Sequence, residues 1–127
     1  MTLEQFKSWA LALGQVGNPN PNNTYLGQCV SLIQQYLYHV YGIEWKPRGD
    51  AKDWPTNSDV LSHFDKVKNP QAGDIGVVGP EYGNGRGHIF IYLTPNTILE
   101  QNGRVPLRVT TGSAYSNPIA ILRSKAG

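Results

Sequence analysis

The chain contains a single cysteine, Cys29, in the stretch Tyr25-Leu26-Gly27-Gln28-Cys29-Val30-Ser31-Leu32. A cysteine nucleophile needs a base within hydrogen-bond reach, and the base needs a partner that orients it. Three histidines are available as that base. His39 lies on the same expected helix as Cys29, roughly 15 Å farther along at 1.5 Å per residue, and cannot reach the thiol. His63 sits in a polar stretch beside a turn and reads as a surface residue. His88 follows a glycine-rich loop and opens an expected strand, a junction where working side chains are commonly placed. In the next expected strand Glu100 and Asn102 share one face, because side chains alternate with period two. If the two strands pair as a hairpin, either residue can lie beside His88 and accept its N–H. Together these residues would suffice for acyl transfer through a thioester. Each also has a plain structural reading: a small buried thiol, a hydrogen-bonded histidine, an ordinary strand-edge carboxylate.

The elements that must position these residues can be read in order. Leu3, Phe6, Trp9, Ala10 and Leu13 form one helical face that Thr2 can cap, with an end at Gly14 or Gly17. Asn18 to Thr24 is a loop with two prolines and turn-forming asparagines. Val30, Leu32, Ile33, Leu37, Val40 and Tyr41 recur at helical spacing, so a second helix starts at Cys29 and stops at Gly42. Cys29 then occupies the first turn, where unpaired N–H groups and the helix dipole favour an anion such as a thiolate. Asp50 can cap a short turn cut by Pro55, and Ser58–His63 can form another. Beyond it the period becomes that of strands: Phe64–Lys68, Asp74–Val78, His88–Leu93, Thr97–Asn102, Val105–Thr110 and Ile119–Arg123. Asp50 and Asp74 read as a cap and a turn residue. Helices followed by closely spaced strands imply an α+β domain, its N-terminal helices packed on a largely antiparallel sheet.

At 127 residues this is one domain, large enough for a core without disulfides. One cysteine excludes an intramolecular disulfide and any CxxC zinc site. The formal charge of +2 is too small, with no basic run or RNA-binding motif, to imply a nucleic-acid partner. It would suit a polyanionic surface. No segment is long and apolar enough to span a membrane. Glu4 and Lys7 interrupt the N-terminal apolar positions, so no signal peptide is expected there.

Gly27-Gln28-Cys29-Val30, Gly49-Asp50-Ala51-Lys52-Asp53-Trp54, Pro70-Gln71-Ala72-Gly73-Asp74-Ile75, Gly87-His88-Ile89 and Glu100-Gln101-Asn102 occur in that order. The series resembles the CHAP family, the cysteine, histidine-dependent amidohydrolases and peptidases of bacterial cell-wall turnover and phage lysins. The related NlpC/P60 enzymes fit less well, since they usually carry an aspartate before the cysteine and lack the Glu-Gln-Asn ending. The resemblance covers nearly the whole chain. It implies a papain-like fold and hydrolysis of a peptidoglycan amide bond. It assigns Cys29 as nucleophile, His88 as base, and Glu100 and Asn102 as orienting partners. The Cys29 N–H and the Gln28 side chain are candidate oxyanion donors. Among Trp45, Trp54, Tyr82 and Tyr115, Tyr82 is the best candidate for contact with substrate, from its place in the loop before His88.

Some members of the family bind calcium in the loop before the cysteine through alternating aspartates. Here Asn18, Asn20 and Asn22 stand in that loop, so neither calcium nor another cofactor is expected. The expected partner is bacterial peptidoglycan, with targeting supplied by a separate wall-binding domain or subunit. The expected place of action is the cell wall, reached by release from a phage-infected cytoplasm or after removal of a leader. Two other classes remain open at this stage: a wall-binding module that keeps the fold without catalysis, and a cysteine peptidase acting on proteins.

Overall fold

The computed structural model describes residues 1–126. Helix α1 spans Leu3–Leu13. Thr2 caps it through a capping box with Gln5, and Gly14 ends it in the left-handed conformation. Such caps satisfy orphan donors and acceptors and stabilise a helix by about 1 kcal/mol each. Helix α2 spans Cys29–Tyr41 and ends at Gly42, also left-handed. A 3-10 turn, Ala51–Thr56, starts from an Asp50–Asp53 capping box and precedes α3, Ser58–His63.

The strands are β1 Phe64–Val67, β2 Ile75–Val78, β3 His88–Thr94, β4 Thr97–Gln101, β5 Val109–Ser113 and β6 Ala120–Ser124. They form one six-stranded sheet in the order β1-β6-β2-β3-β4-β5, and every pairing is antiparallel. β2 and most of β3 are buried on both faces, which is why they read as continuous apolar runs rather than alternating ones. Ile75, Val77, Ile89, Ile91, Leu99 and Leu122 pack with Leu32, Ile33, Tyr36 and Leu37 of α2 and Phe6 and Ala10 of α1. A second cluster, Val78, Phe90, Tyr92, Ile98 and Ile121, is covered by Tyr82 and Tyr115. Trp54 is wholly buried in the first cluster, so it belongs to the core and not to a groove. Among the described residues no helix is long and apolar enough to cross a membrane.

One expected strand is misplaced. Val105–Thr110 is loop for most of its length, and β5 begins only at Val109. Pro106 cannot donate to a ladder, and Leu107 has a φ of +60°, which no strand tolerates. The neighbouring Asn102 has a φ of +58° and ends β4 at Gln101, one residue short of the expected Thr97–Asn102.

Candidate active site

Three segments meet where β3 begins. The first is the elbow before α2. Gly27 has a φ of +84°, and its N–H bonds the Val16 carbonyl at 2.9 Å. A Cβ there would lie 3.2 Å from the Leu107 side chain, so both the turn and the close approach favour glycine. The elbow delivers Gln28 as the N-cap and Cys29 as the first residue of α2. Gln28 makes no side-chain cap, and the first N–H groups of a helix have no intrahelical acceptor. The thiol of Cys29 is half-buried and free.

The second segment is the start of β3. His88 is only 4% exposed. Its Nε2 lies 2.8 Å from Glu100 Oε1 on β4. With Nε2 occupied, Nδ1 is the ring nitrogen left for Cys29, and contact with that thiol is one of the interactions acting on the imidazole. Burial alone lowers the pKa of His88. The hydrogen bonds and charges of Cys29 and Glu100 outweigh it and push the pKa up to about 9. The ring therefore favours the imidazolium form across neutral pH.

The third segment is the end of β4. Glu100 is fully buried, which would raise its pKa, yet it is held below the usual carboxylate range. Oε1 accepts from His88 and from the Tyr115 hydroxyl at 2.7 Å, and Arg104 reaches Oε2 at 3.3 Å. Tyr115 stands edge-on to the His88 ring at 5.6 Å, and the Arg104 guanidinium lies 4.3 Å over the Tyr115 ring. Burial and the bond to Glu100 push the Tyr115 hydroxyl pKa up, so it stays a donor. Glu100 is thus fixed from three sides, and a Cβ on Gly103 would collide with its carboxylate.

Gln101 points the other way and is also fully buried. Its Oε1 accepts from the Val16 N–H at 2.7 Å, and its Nε2 donates to the Val16 carbonyl at 3.0 Å and the Gln28 carbonyl at 2.7 Å. It ties β4 to the elbow. No sequence signal marked Gln101 apart from its place between Glu100 and Asn102. Tyr115 appeared only as a groove aromatic, and Arg104 not at all.

Asn102 makes no hydrogen bond to His88. Its left-handed backbone breaks the two-residue alternation, so it does not share the Glu100 face. Its Oδ1 accepts from Leu107 N–H at 2.9 Å and its Nδ2 donates to Gln28 Oε1 at 3.2 Å. Tyr82 lies one ring away from the histidine: it packs edge-on to Tyr115 at 5.3 Å, and its hydroxyl bonds Asn117 at 3.3 Å. His39 packs on Trp9 at 4.5 Å, and His63 lies 3.9 Å from Asp59.

The loop before the elbow spends its amides on itself. Asn18 and Asn20 both donate to Thr24 Oγ1, and Asn20 Oδ1 accepts from Thr24 N–H. Only Asn18 Oδ1 is buried there without a partner. Among the described residues no three acidic, histidine or cysteine side chains cluster as a metal site would require. A single amide oxygen is a poor donor set for calcium, which takes six to eight oxygens, usually with carboxylates among them.

The pairing of His88 with Glu100 carries a pH-dependent consequence. Glu100→Gln keeps the shape of the side chain and removes its charge. The imidazole pKa should then fall from about 9, because a charged acceptor that favours the imidazolium is lost. An NMR titration of the His88 ring in both proteins measures this. A midpoint in the variant equal to that of the wild type would mean that the carboxylate does not hold the proton there.

A buried imidazole bonded to a carboxylate, near a thiol at a helix start, stands on an α+β papain-like frame. The family profile described as CHAP domain matches residues 19–102, and the chain belongs to the CHAP family. Members of this family are cysteine- and histidine-dependent amidohydrolases and peptidases. The crystal structure of Ly7917 superposes with a TM-score of 0.65 at 21% identity, covering 98% of this chain. This chain spans 63% of that one. No curated protein matches the sequence.

Proposed function

We propose that the protein is a peptidoglycan hydrolase that cleaves an amide bond of the bacterial wall by cysteine nucleophilic catalysis. The bond is either N-acetylmuramoyl–L-alanine or a peptide bond of the stem or cross-bridge. The observation that carries the reading is the buried His88, bonded to Glu100 at 2.8 Å and near enough to the Cys29 thiol for that group to help raise its pKa.

The chemistry follows from the charges. The Cys29 thiolate attacks the amide carbonyl, and a carbon–sulfur bond forms. The developing oxyanion is met by the Cys29 N–H at the start of α2. The His88 imidazolium gives its proton to the leaving amine, and the carbon–nitrogen bond breaks. The ring, now neutral, takes a proton from water, whose oxygen attacks the thioester; the carbon–sulfur bond breaks, releasing the acid and restoring the thiolate beside the imidazolium. Glu100 holds the ring throughout and stabilises its charged form. Tyr82 and Tyr115 form the aromatic wall beside the histidine, and we place the substrate chain against it.

The reading places the protein at the cell wall, as the catalytic domain of a phage lysin or a similar bacterial enzyme. A wall-binding domain or partner subunit supplies targeting. No metal takes part in the steps above. Activity on purified walls should accordingly survive EDTA treatment with less than about a twofold loss, since the loop amides lack the charge that tight calcium sites use. A large rescue by calcium alone would show that the loop completes a site through its backbone carbonyls.

The test of the reading is substrate choice. Purified peptidoglycan should clear in the presence of the protein, while a denatured protein substrate stays intact. Rapid cleavage of the denatured protein with no clearing of walls would assign the site to a general cysteine peptidase.

A further inference from the structure

The amide of Asn102 has only one workable orientation. The Leu107 backbone N–H is an unambiguous donor, so the atom of Asn102 that faces it must be the oxygen, 2.9 Å away. The nitrogen of Asn102 therefore faces Gln28, 3.2 Å away, and Gln28 must answer with its oxygen. Turning the Gln28 amide over would set one NH2 group against another. The Gln28 NH2 group is thereby directed away from Asn102, has no hydrogen bond to the described residues, and is not among the buried unpaired atoms. It is an open donor on the residue that precedes Cys29.

The backbone is fixed as firmly as the side chain. Gln101 holds the Gln28 carbonyl at 2.7 Å, and its own orientation is set by a second unambiguous donor, Val16 N–H. The left-handed φ of +58° at Asn102 is a conformation that few side chains other than asparagine accept, and it turns the side chain away from the Glu100 face toward the elbow.

We infer that Asn102 is a positioning residue for the oxyanion donor: through Gln28 it keeps an NH2 group open on the residue before the thiol, and it does not act on His88. Glu100-Gln101-Asn102 then divides its work. Glu100 sets the base, Gln101 holds the elbow, and Asn102 orients the donor.

The inference rests on Cys29 being the nucleophile of the proposed function, but not on the identity of the wall substrate. Two small reagents separate the roles. Acylation of Cys29 by p-nitrophenyl acetate passes through a tetrahedral oxyanion, whereas alkylation by iodoacetamide does not. Asn102→Gly accepts the left-handed backbone, so it removes the side chain without straining the turn. The acylation rate should fall about tenfold or more in Asn102→Gly, approaching the loss in Gln28→Ala, given that a single oxyanion donor is worth about 10²–10³. Alkylation and its pH dependence should match wild type in both. The double variant should acylate no more slowly than Gln28→Ala, because Asn102 acts only through Gln28. Three results would overturn the inference: acylation unchanged in Asn102→Gly, acylation and alkylation reduced together, or losses that multiply in the double variant. None of these depends on wall clearing, so a failure of the peptidoglycan reading stays separate.

Discussion

Cys29→Ser should lose activity on purified walls by on the order of 10⁴-fold or more, with little change in the fold. Oxygen replaces sulfur at a half-buried position whose side chain makes no structural hydrogen bond to the elbow. The elbow is held instead by Gly27, by Ser31 Oγ to the Tyr25 carbonyl at 2.7 Å, and by Gln101. The thermal midpoint should therefore stay within a few degrees. What is lost is acidity: a serine hydroxyl carries no appreciable anion near neutral pH, so the nucleophile that a thiol supplies is absent. Wall turbidity and circular dichroism measure the two halves of the expectation. Near-normal clearing by the variant would remove Cys29 from the mechanism.

His88→Ala should be inactive to a similar degree, while His39→Ala and His63→Ala keep most activity. General acid–base catalysis contributes about 10²–10⁴ in rate, and this ring is both acid and base in successive steps. The variant should also be less stable, by about 1–3 kcal/mol, because the fully buried Glu100 loses one of its charge-assisted partners. Tyr115 and Arg104 remain to hold the carboxylate, which keeps the fold within reach of measurement. Iodoacetamide should label Cys29 more slowly in this variant, since the thiolate loses its cationic neighbour. His39 and His63 serve as internal comparisons: one packs on Trp9, the other is half-buried beside Asp59. An inactive His63→Ala beside an active His88→Ala would reverse the assignment of the base.

Much of this site was legible in the sequence because local rules decide where its parts fall. Thr2 and Gly14, and the Gly42 that stops α2, mark helix ends through backbone chemistry that does not depend on the rest of the chain. Cys29 follows from the helical period, and the pairing of His88 with Glu100 follows from adjacent strands and alternation. The same alternation misled at Asn102. A left-handed residue leaves no trace in a hydrophobic pattern, so the strand looked one residue longer and the side chain looked as though it faced the histidine. Leu107 hid the late start of β5 in the same way. The partners of Glu100 were out of reach for another reason. Tyr115 and Gln101 act through contacts with segments distant in sequence, β4 and Val16 respectively, and no spacing encodes such an approach.

The central claim is that these residues cut an amide bond of peptidoglycan, and mass spectrometry of wall digests tests it most directly. Purified walls treated with the protein should release fragments with a new amine and a new carboxyl terminus at one type of amide bond, at unchanged glycan chain length. Walls treated with Cys29→Ser should release none. Fragments that carry new reducing sugar ends with every amide intact, or equal release by the serine variant, would contradict the account.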